Sequence, residues 1–297
     1  MAIANTRILT AAFEYLTPGT IEEAVELLAR YGPDARPIAG GTDLLVQMKK
    51  EAISPAYLVD VMKIPALGFI RADDGWLRIG AATKWSEILR FSAMDTRHAA
   101  LYEAVRSLGK VQVRNMGTIG GNLCTASPAA DSAPPLLVFE SEVRLLGVDG
   151  ERTLELVDFF KGVNETVMAP GEIMTEILIP PASPGSGSAF IKIGRVGGDI
   201  SKVSCAIALE RRKDHCVSCR IAMGAVGPVP LRVGAAERIV EDMKVDHSRV
   251  EEVGRRAGEA IRPITDIRST AQYRRALASV LVQDVFWAAW HRAGGGE

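Results

Sequence analysis

Apolar positions along this chain switch between helical and strand-like spacing several times, and each switch marks an element. Residues 13–16 read as a short strand. An amphipathic helix follows over 21–31, opened by Thr20 and Glu23 in a capping box and stopped at Gly32. A second short strand is predicted over 37–39. After Gly40-Gly41, Thr42 or Asp43 can cap a helix running through Leu44, Leu45 and Met48, ahead of Pro55 and a third strand over 57–61. Strand, helix, strand, glycine pair, helix, strand predicts a small α/β unit over residues 1–62.

From Leu67 the spacing becomes that of antiparallel sheet. Residues 68–71 and 76–79 read as a hairpin across the turn 72–75, and 143–148 with 152–156 as another across Asp149-Gly150. A further strand is predicted over 173–179, helical segments near 85–91 and 102–108, and a short buried helix over 133–139. These form a second part, residues 63–180. The run Pro180-Pro-Ala-Ser-Pro-Gly-Ser-Gly187 reads as a linker. Beyond it, strand-like runs (189–193, 203–209, 216–225) precede helical runs (235–243, 249–261, 270–290), and 294–296 reads as a frayed tail. The predicted class is therefore α+β: a two-part first domain, a small α/β unit plus an antiparallel β unit, followed by a C-terminal α+β domain over 188–293 with a three-stranded sheet and helices.

Composition narrows the chemistry. The chain has 297 residues, 47% of them hydrophobic, which is enough for two or three units with real cores. Lys+Arg 35 against Asp+Glu 36 gives a net charge of -1, so no basic field draws in nucleic acid. No apolar run approaches the roughly 20 residues of a transmembrane helix, and residues 1–12 lack the pattern of a signal peptide, so a cytoplasmic location is expected. Four cysteines (Cys124, Cys205, Cys216, Cys219) are too few for a disulfide framework. Cys216-Val-Ser-Cys219 has ligand spacing but no second pair, and reads as two structural thiols on or beside a strand. A four-cysteine iron–sulfur cluster cannot be built from them. The histidines His98, His215, His247 and His291 are scattered and read as surface or structural groups.

The chemistry lies in two glycine pairs about eighty residues apart. Arg36-Pro37-Ile38-Ala39-Gly40-Gly41-Thr42-Asp43 and Asn115-Met-Gly-Thr118-Ile119-Gly120-Gly121-Asn122 each follow a short apolar run. Each reads as a turn exposing consecutive amides where a side chain would block a phosphate, with Thr42, Thr118 and Asn122 as further donors. Together they read as two walls of one nucleotide site, and Val at position 41 or 120 is expected to crowd a diphosphate. No G-x-G-x-x-G or G-x-x-x-x-G-K-[ST] is present, which disfavours Rossmann and P-loop readings. The small, hydroxyl-rich stretch after Asn122 suits a backbone running beside a ligand. In it Asp131 either accepts from ribose hydroxyls or caps the following helix, and Thr125 and Ser127 share that ambiguity.

These motifs, with Ser127-Pro-Ala-Ala-Asp131 and the 192–202 segment, resemble the FAD-binding medium subunit of the molybdenum hydroxylases, the xanthine dehydrogenase and carbon monoxide dehydrogenase family. The resemblance covers essentially the whole chain, and makes its first domain a two-part FAD-binding domain. It implies that residues 37–44 (Pro37, Ile38, Ala39, Gly40, Gly41, Thr42, Asp43, Leu44) and 118–122 (Thr118, Ile119, Gly120, Gly121, Asn122), with Thr125 nearby, hold the diphosphate of FAD. Asp131 then resembles an acidic contact to the adenosine half, and Met174 a backbone contact near the adenine. Leu108 falls beside the flavin, Lys192 resembles a lysine beside the cofactor, and Ile200 approaches the isoalloxazine ring. Thr42-Asp43 after the first pair is similar to the xanthine and aromatic hydroxylase branch.

The implied function is electron transfer. A small [2Fe-2S] subunit and a large molybdenum-cofactor subunit would be the partners, and NAD or another acceptor would take the electrons; no side-chain acid, base or metal ligand is required of this chain. Two competing readings are a self-sufficient FAD-dependent oxidase of small molecules, which needs a base near the flavin, and a non-catalytic interaction subunit whose glycine turns are structural.

Overall fold

The computed structural model describes residue 9 and residues 11–91 and 97–294. Most of residues 1–12 and residues 295–296 of the tail lie outside them. The first unit is a parallel three-stranded sheet, in which Glu14–Leu16 and Ala35–Ile38 flank Tyr57–Asp60. Parallel strands need crossovers: the helix Ile21–Tyr31 carries the chain from one outer strand to the other, and the helix Leu44–Lys49 from there to the central strand. Thr20 Oγ1 accepts from the Glu23 amide at 3.2 Å, so the predicted N-cap is formed, while the reciprocal Glu23 carboxylate bond falls one residue earlier than in a capping box, on the Gly19 amide at 2.7 Å. Ala24, Val25 and Leu28 bury the apolar face, and Gly32 ends the helix at φ 54°.

The second unit is an antiparallel sheet of five strands in the order Ile70–Asp73, Trp76–Gly80, Ile173–Ile179, Glu142–Gly147, Gly150–Glu155. Asp74 and Gly75, both with positive φ, close the first hairpin as a two-residue turn. All seven residues of the central strand Ile173–Ile179 are buried, including Glu176, whose carboxylate meets Arg78 at 2.5 Å and Arg144 at 3.2 Å. Helices Ala99–Ser107, Ile119–Thr125 and Ala133–Val138 supply Leu101, Ile119, Leu123 and Leu136 to the core of this unit, beside Trp85 and Phe159.

The third sheet has three long antiparallel strands, Ser186–Ile193, Val203–Arg212 and His215–Gly224, widened by two-residue strands at Leu231–Arg232 and Met243–Lys244. Alternation along it sorts two cores. Cys205, Ile207 and Leu209 face the C-terminal helices, while Ala206, Ala222 and Phe190 join the core of the second unit. The long helix Ala271–Ala293 covers the first of these faces with Leu281, Val285 and Phe286.

Three expectations change. The predicted linker ends before Ser186, because Gly187 already belongs to the strand and packs so tightly that a methyl group there would fall 2.4 Å from the Ala289 carbonyl oxygen. The helix predicted over 235–243 is a single turn, Gly234–Glu237, because the chain turns left-handed at Asp242 and Glu237 is drawn inward to accept from Arg232 and the Ile221 amide. Cys216 and Cys219 sit three apart on one strand, yet both face the same core; a register shift opposite Glu210 and Arg211 restores that side. Among the described residues no helix is long and apolar enough to cross a membrane.

Candidate functional site

The two glycine segments meet. A methyl group at position 40 would lie 1.9 Å from the Met116 carbonyl oxygen, so the backbones of residues 40 and 116–117 touch, and only glycine permits that approach. Gly41 follows at φ 67°. The chain then enters the helix Leu44–Lys49, whose N-cap position, Asp43, makes no side-chain cap bond, contrary to the capping expected. Among the described residues, the amides of residues 40–44 have no intramolecular acceptor. They are the uncommitted donors of this segment.

The second segment behaves differently. Gly120 and Gly121 are not a turn but the first turn of the helix Ile119–Thr125, with Thr118 as N-cap. Its amides are spent within the protein: Ile119 donates to the Thr83 carbonyl at 3.1 Å, Gly120 to the Ala81 carbonyl at 2.9 Å, and Gly121 to Thr118 Oγ1 at 3.1 Å. A methyl group at position 120 would lie 2.6 Å from Ala81 Cβ. Packing against Ala81 therefore requires that glycine, whatever the ligand.

Between the parallel unit and the antiparallel unit lies a cavity of about 460 Å³. Pro37, Ala39, Gly40, Gly41, Thr42, Asp43 and Leu44 form one wall, and Thr118, Gly120, Gly121, Asn122 and Thr125 the facing one. Leu108, at the end of the helix Ala99–Ser107, and Met174, on the central strand, close it. Ile38 and Ile119 do not line it; they point into the cores behind each wall. Asn122 Oδ1 accepts from Ser132 Oγ at 2.7 Å, which leaves the Asn122 amide hydrogens for the cavity, and Thr125 Oγ1 donates to the Gly121 carbonyl at 2.8 Å.

Several lining residues carry no sequence signal, because they arrive from other elements. Trp85, Met168 and Glu172 are among them, while Cys124 comes from the helix Ile119–Thr125 itself. Burial pushes the Cys124 thiol up to about 12, so it is neutral. Arg36, inside the first motif, brings a cation to this wall; its guanidinium also donates to the Pro33 and Ala35 carbonyls. Burial raises Asp43 above the ordinary carboxylate range, and Glu172 is lowered by the Arg152 guanidinium that clasps it at 2.7 and 2.8 Å.

Three predicted residues besides Ile38 and Ile119 lie outside this cavity. Asp131 neither lines it nor caps the following helix, whose N-cap position is Ser132; its Oδ2 is paired with Lys192 Nζ at 2.5 Å. Both side chains are nearly inaccessible, at 8% and 7%. Burial pushes Asp131 up to about 6 despite the opposing pull of the ammonium. Lys192 lines a second cavity beyond Leu108, and Ile200 is half exposed and lines neither.

The comparisons agree with this architecture. A family model described as the FAD binding domain in molybdopterin dehydrogenase matches residues 11–182, and one described as the CO dehydrogenase flavoprotein C-terminal domain matches residues 188–289. The carbon monoxide dehydrogenase medium chain of Hydrogenophaga pseudoflava is 32% identical over 94% of this chain and 98% of its own length. The glyceraldehyde dehydrogenase medium chain of Sulfolobus acidocaldarius is 30% identical over 92% and 97%. In the solved carbon monoxide dehydrogenase from H. pseudoflava lacking the Mo-pyranopterin moiety of its molybdenum cofactor, one chain superposes with a TM-score of 0.93 at 33% identity, covering 96% of this chain and 99% of that one.

Proposed function

This chain belongs to the family of FAD-binding medium subunits of the molybdopterin dehydrogenases, or molybdenum hydroxylases, and from that premise we propose that it is the electron-transferring flavoprotein subunit of such a complex. Its partners in this reading are a small subunit carrying two [2Fe-2S] clusters and a large subunit carrying the molybdenum cofactor, with NAD or another acceptor taking the electrons, in the cytoplasm. Residues 1–62 and 63–180 form the two halves that clasp FAD, and 188–293 the C-terminal domain. The observation that carries the reading is the cavity between those halves, with uncommitted amides over 40–44 on one wall.

Those amides and Arg36 suit the diphosphate, since backbone N–H groups hold anions without a dedicated lysine. Thr118, Asn122 and Thr125 shape the opposite wall, where Thr118 and Asn122 offer side-chain donors and the Thr125 hydroxyl, its hydrogen given to the Gly121 carbonyl, can only accept. Leu108 and Val113 present an apolar surface at one end that excludes water from a ring, and Met174 offers its backbone at the cavity lining. Burial raises Asp43 above its ordinary value, which shifts that carboxyl toward its neutral form beside the anion. When bound, the flavin supplies the ability to accept electrons singly and release them in pairs.

The test is the content of the purified protein. One FAD per chain is expected, together with co-purified chains that contain iron, acid-labile sulfide and molybdenum. A colourless chain that cannot be reconstituted with FAD would overturn the reading.

A further inference from the structure

A second cavity, of about 590 Å³, shares a wall with the first. Leu108 and Val113 face the first cavity, whereas Arg106, Gly109, Lys110 and Arg114 of the same segment face the second. The opposite wall is residues 192–198, including Lys192 and Arg195. Among the described residues, five cations line this space and no carboxylate does.

Their partners show where charge is left over. Lys192 is balanced by Asp131, and Arg195 by Asp199 at 2.8 Å. Lys110 Nζ donates to the Gly197 carbonyl at 2.5 Å, and one nitrogen of Arg114 donates to the Leu108 and Gly109 carbonyls at 3.0 and 3.1 Å. Carbonyls consume hydrogens but no charge. Arg114 keeps three of its five N–H groups and Lys110 two of its three. Arg106 has no hydrogen-bond partner among the described residues. Among the described residues, three positive charges therefore surround the cavity with no carboxylate paired to them.

The walls are also set in advance. Gly198, at φ 78°, abuts the 109 backbone so closely that a methyl group there would lie 2.6 Å from the Gly109 carbonyl oxygen. With the Lys110 bond to Gly197, this fixes the glycine-rich loop against the cationic segment. Lys192, almost wholly buried and held by Asp131, fixes a further ammonium at the boundary.

We propose that this second cavity is an anion site for the phosphate or diphosphate group of a small-molecule ligand, distinct from the place of the FAD diphosphate. Several guanidinium and ammonium donors on one concave surface match phosphate oxygens in charge and geometry. The inference stands on the cavity and its cations, and does not depend on the electron-transfer reading.

The test is calorimetric titration of the FAD-saturated protein with inorganic pyrophosphate and, in parallel, with ADP, reading FAD content by absorbance in the same samples. Saturable binding at one site is expected without release of FAD. Arg106→Gln should weaken it about tenfold or more. Lys110→Gln, which keeps a donor for the Gly197 carbonyl while removing the charge, should do the same. FAD content should not change in Arg106→Gln, so failure of the anion site and failure of FAD binding are separately visible. Tighter binding of ADP than of pyrophosphate assigns a nucleotide, and the reverse order assigns a free phosphate compound. No saturable binding, binding unchanged in both variants, or displacement of FAD by either anion would overturn the proposal.

Discussion

A methyl group at position 120 meets Ala81, and one at position 40 meets the Met116 carbonyl, whereas at position 41 the constraint is a left-handed backbone beside the flexible Leu45 side chain. Gly120→Ala should therefore cost about 1–3 kcal/mol of folding stability through overpacking. Gly41→Ala should cost about 1–2 kcal/mol through conformation alone. Urea denaturation of both variants checks these values. Arg36 is exposed and bonds only carbonyls, so Arg36→Gln should lower FAD affinity about two- to fivefold and leave the melting of the FAD-free protein unchanged. Asp131 gives a pH signature. Its folded value is raised from 3.8 to about 6, so between those values the folded state holds more proton than the unfolded state. This group's contribution to stability therefore grows as pH falls from about 7 toward 4, and that slope should be missing in Asp131→Asn. A slope that survives the substitution would place the titrating group elsewhere.

The helix Ala99–Ser107 meets the C-terminal domain at Ser188, whose hydroxyl accepts from the Ala100 amide at 3.1 Å, and at the carboxylate of Glu103. Glu103 accepts from Arg292 at 2.6 and 3.1 Å and from the Phe190 amide at 2.8 Å, and Arg292 also donates to the Ser188 carbonyl. Glu103→Ala strands that amide and the guanidinium, and should cost about 2–4 kcal/mol in thermal or urea unfolding. A loss below about 0.5 kcal/mol would show that the junction is held by apolar packing and the Ser188 bonds instead. Elements with a local signature were legible in the sequence: the Thr20 cap, the Asp74-Gly75 turn, and the apolar run over 173–179. Those decided by distant partners were not. The run over 235–243 has helical periodicity, but Glu237 serves Arg232 and the strand His215–Gly224, and the helix gives way after one turn. Gly187 looks like linker composition until the helix Ala271–Ala293 is seen pressed against it.

Taken together, the three sheets place a cavity between the parallel and antiparallel units, and the sequence motifs identify both of its walls. Spacing alone could not reveal which wall keeps its donors free. That depends on Thr83 and Ala81, whose carbonyls reach the amides of Ile119 and Gly120 from another strand-to-helix connection. Nor could it reveal that Asp131 and Lys192, 61 positions apart, neutralise each other behind the Leu108 wall. The family match and the fold place this molecule among FAD-binding medium subunits, and in the proposed reading its glycine segments divide the work: residues 40–44 grip the diphosphate, residues 118–122 pack and shape. Amide-resolved hydrogen exchange of the FAD-free and FAD-loaded protein tests that division most directly. The account predicts strong new protection at the amides of residues 40–44 and little change at Ile119, Gly120 and Gly121, whose hydrogens are already bonded. Unchanged exchange over 40–44, with the new protection falling at 119–121 instead, would contradict it.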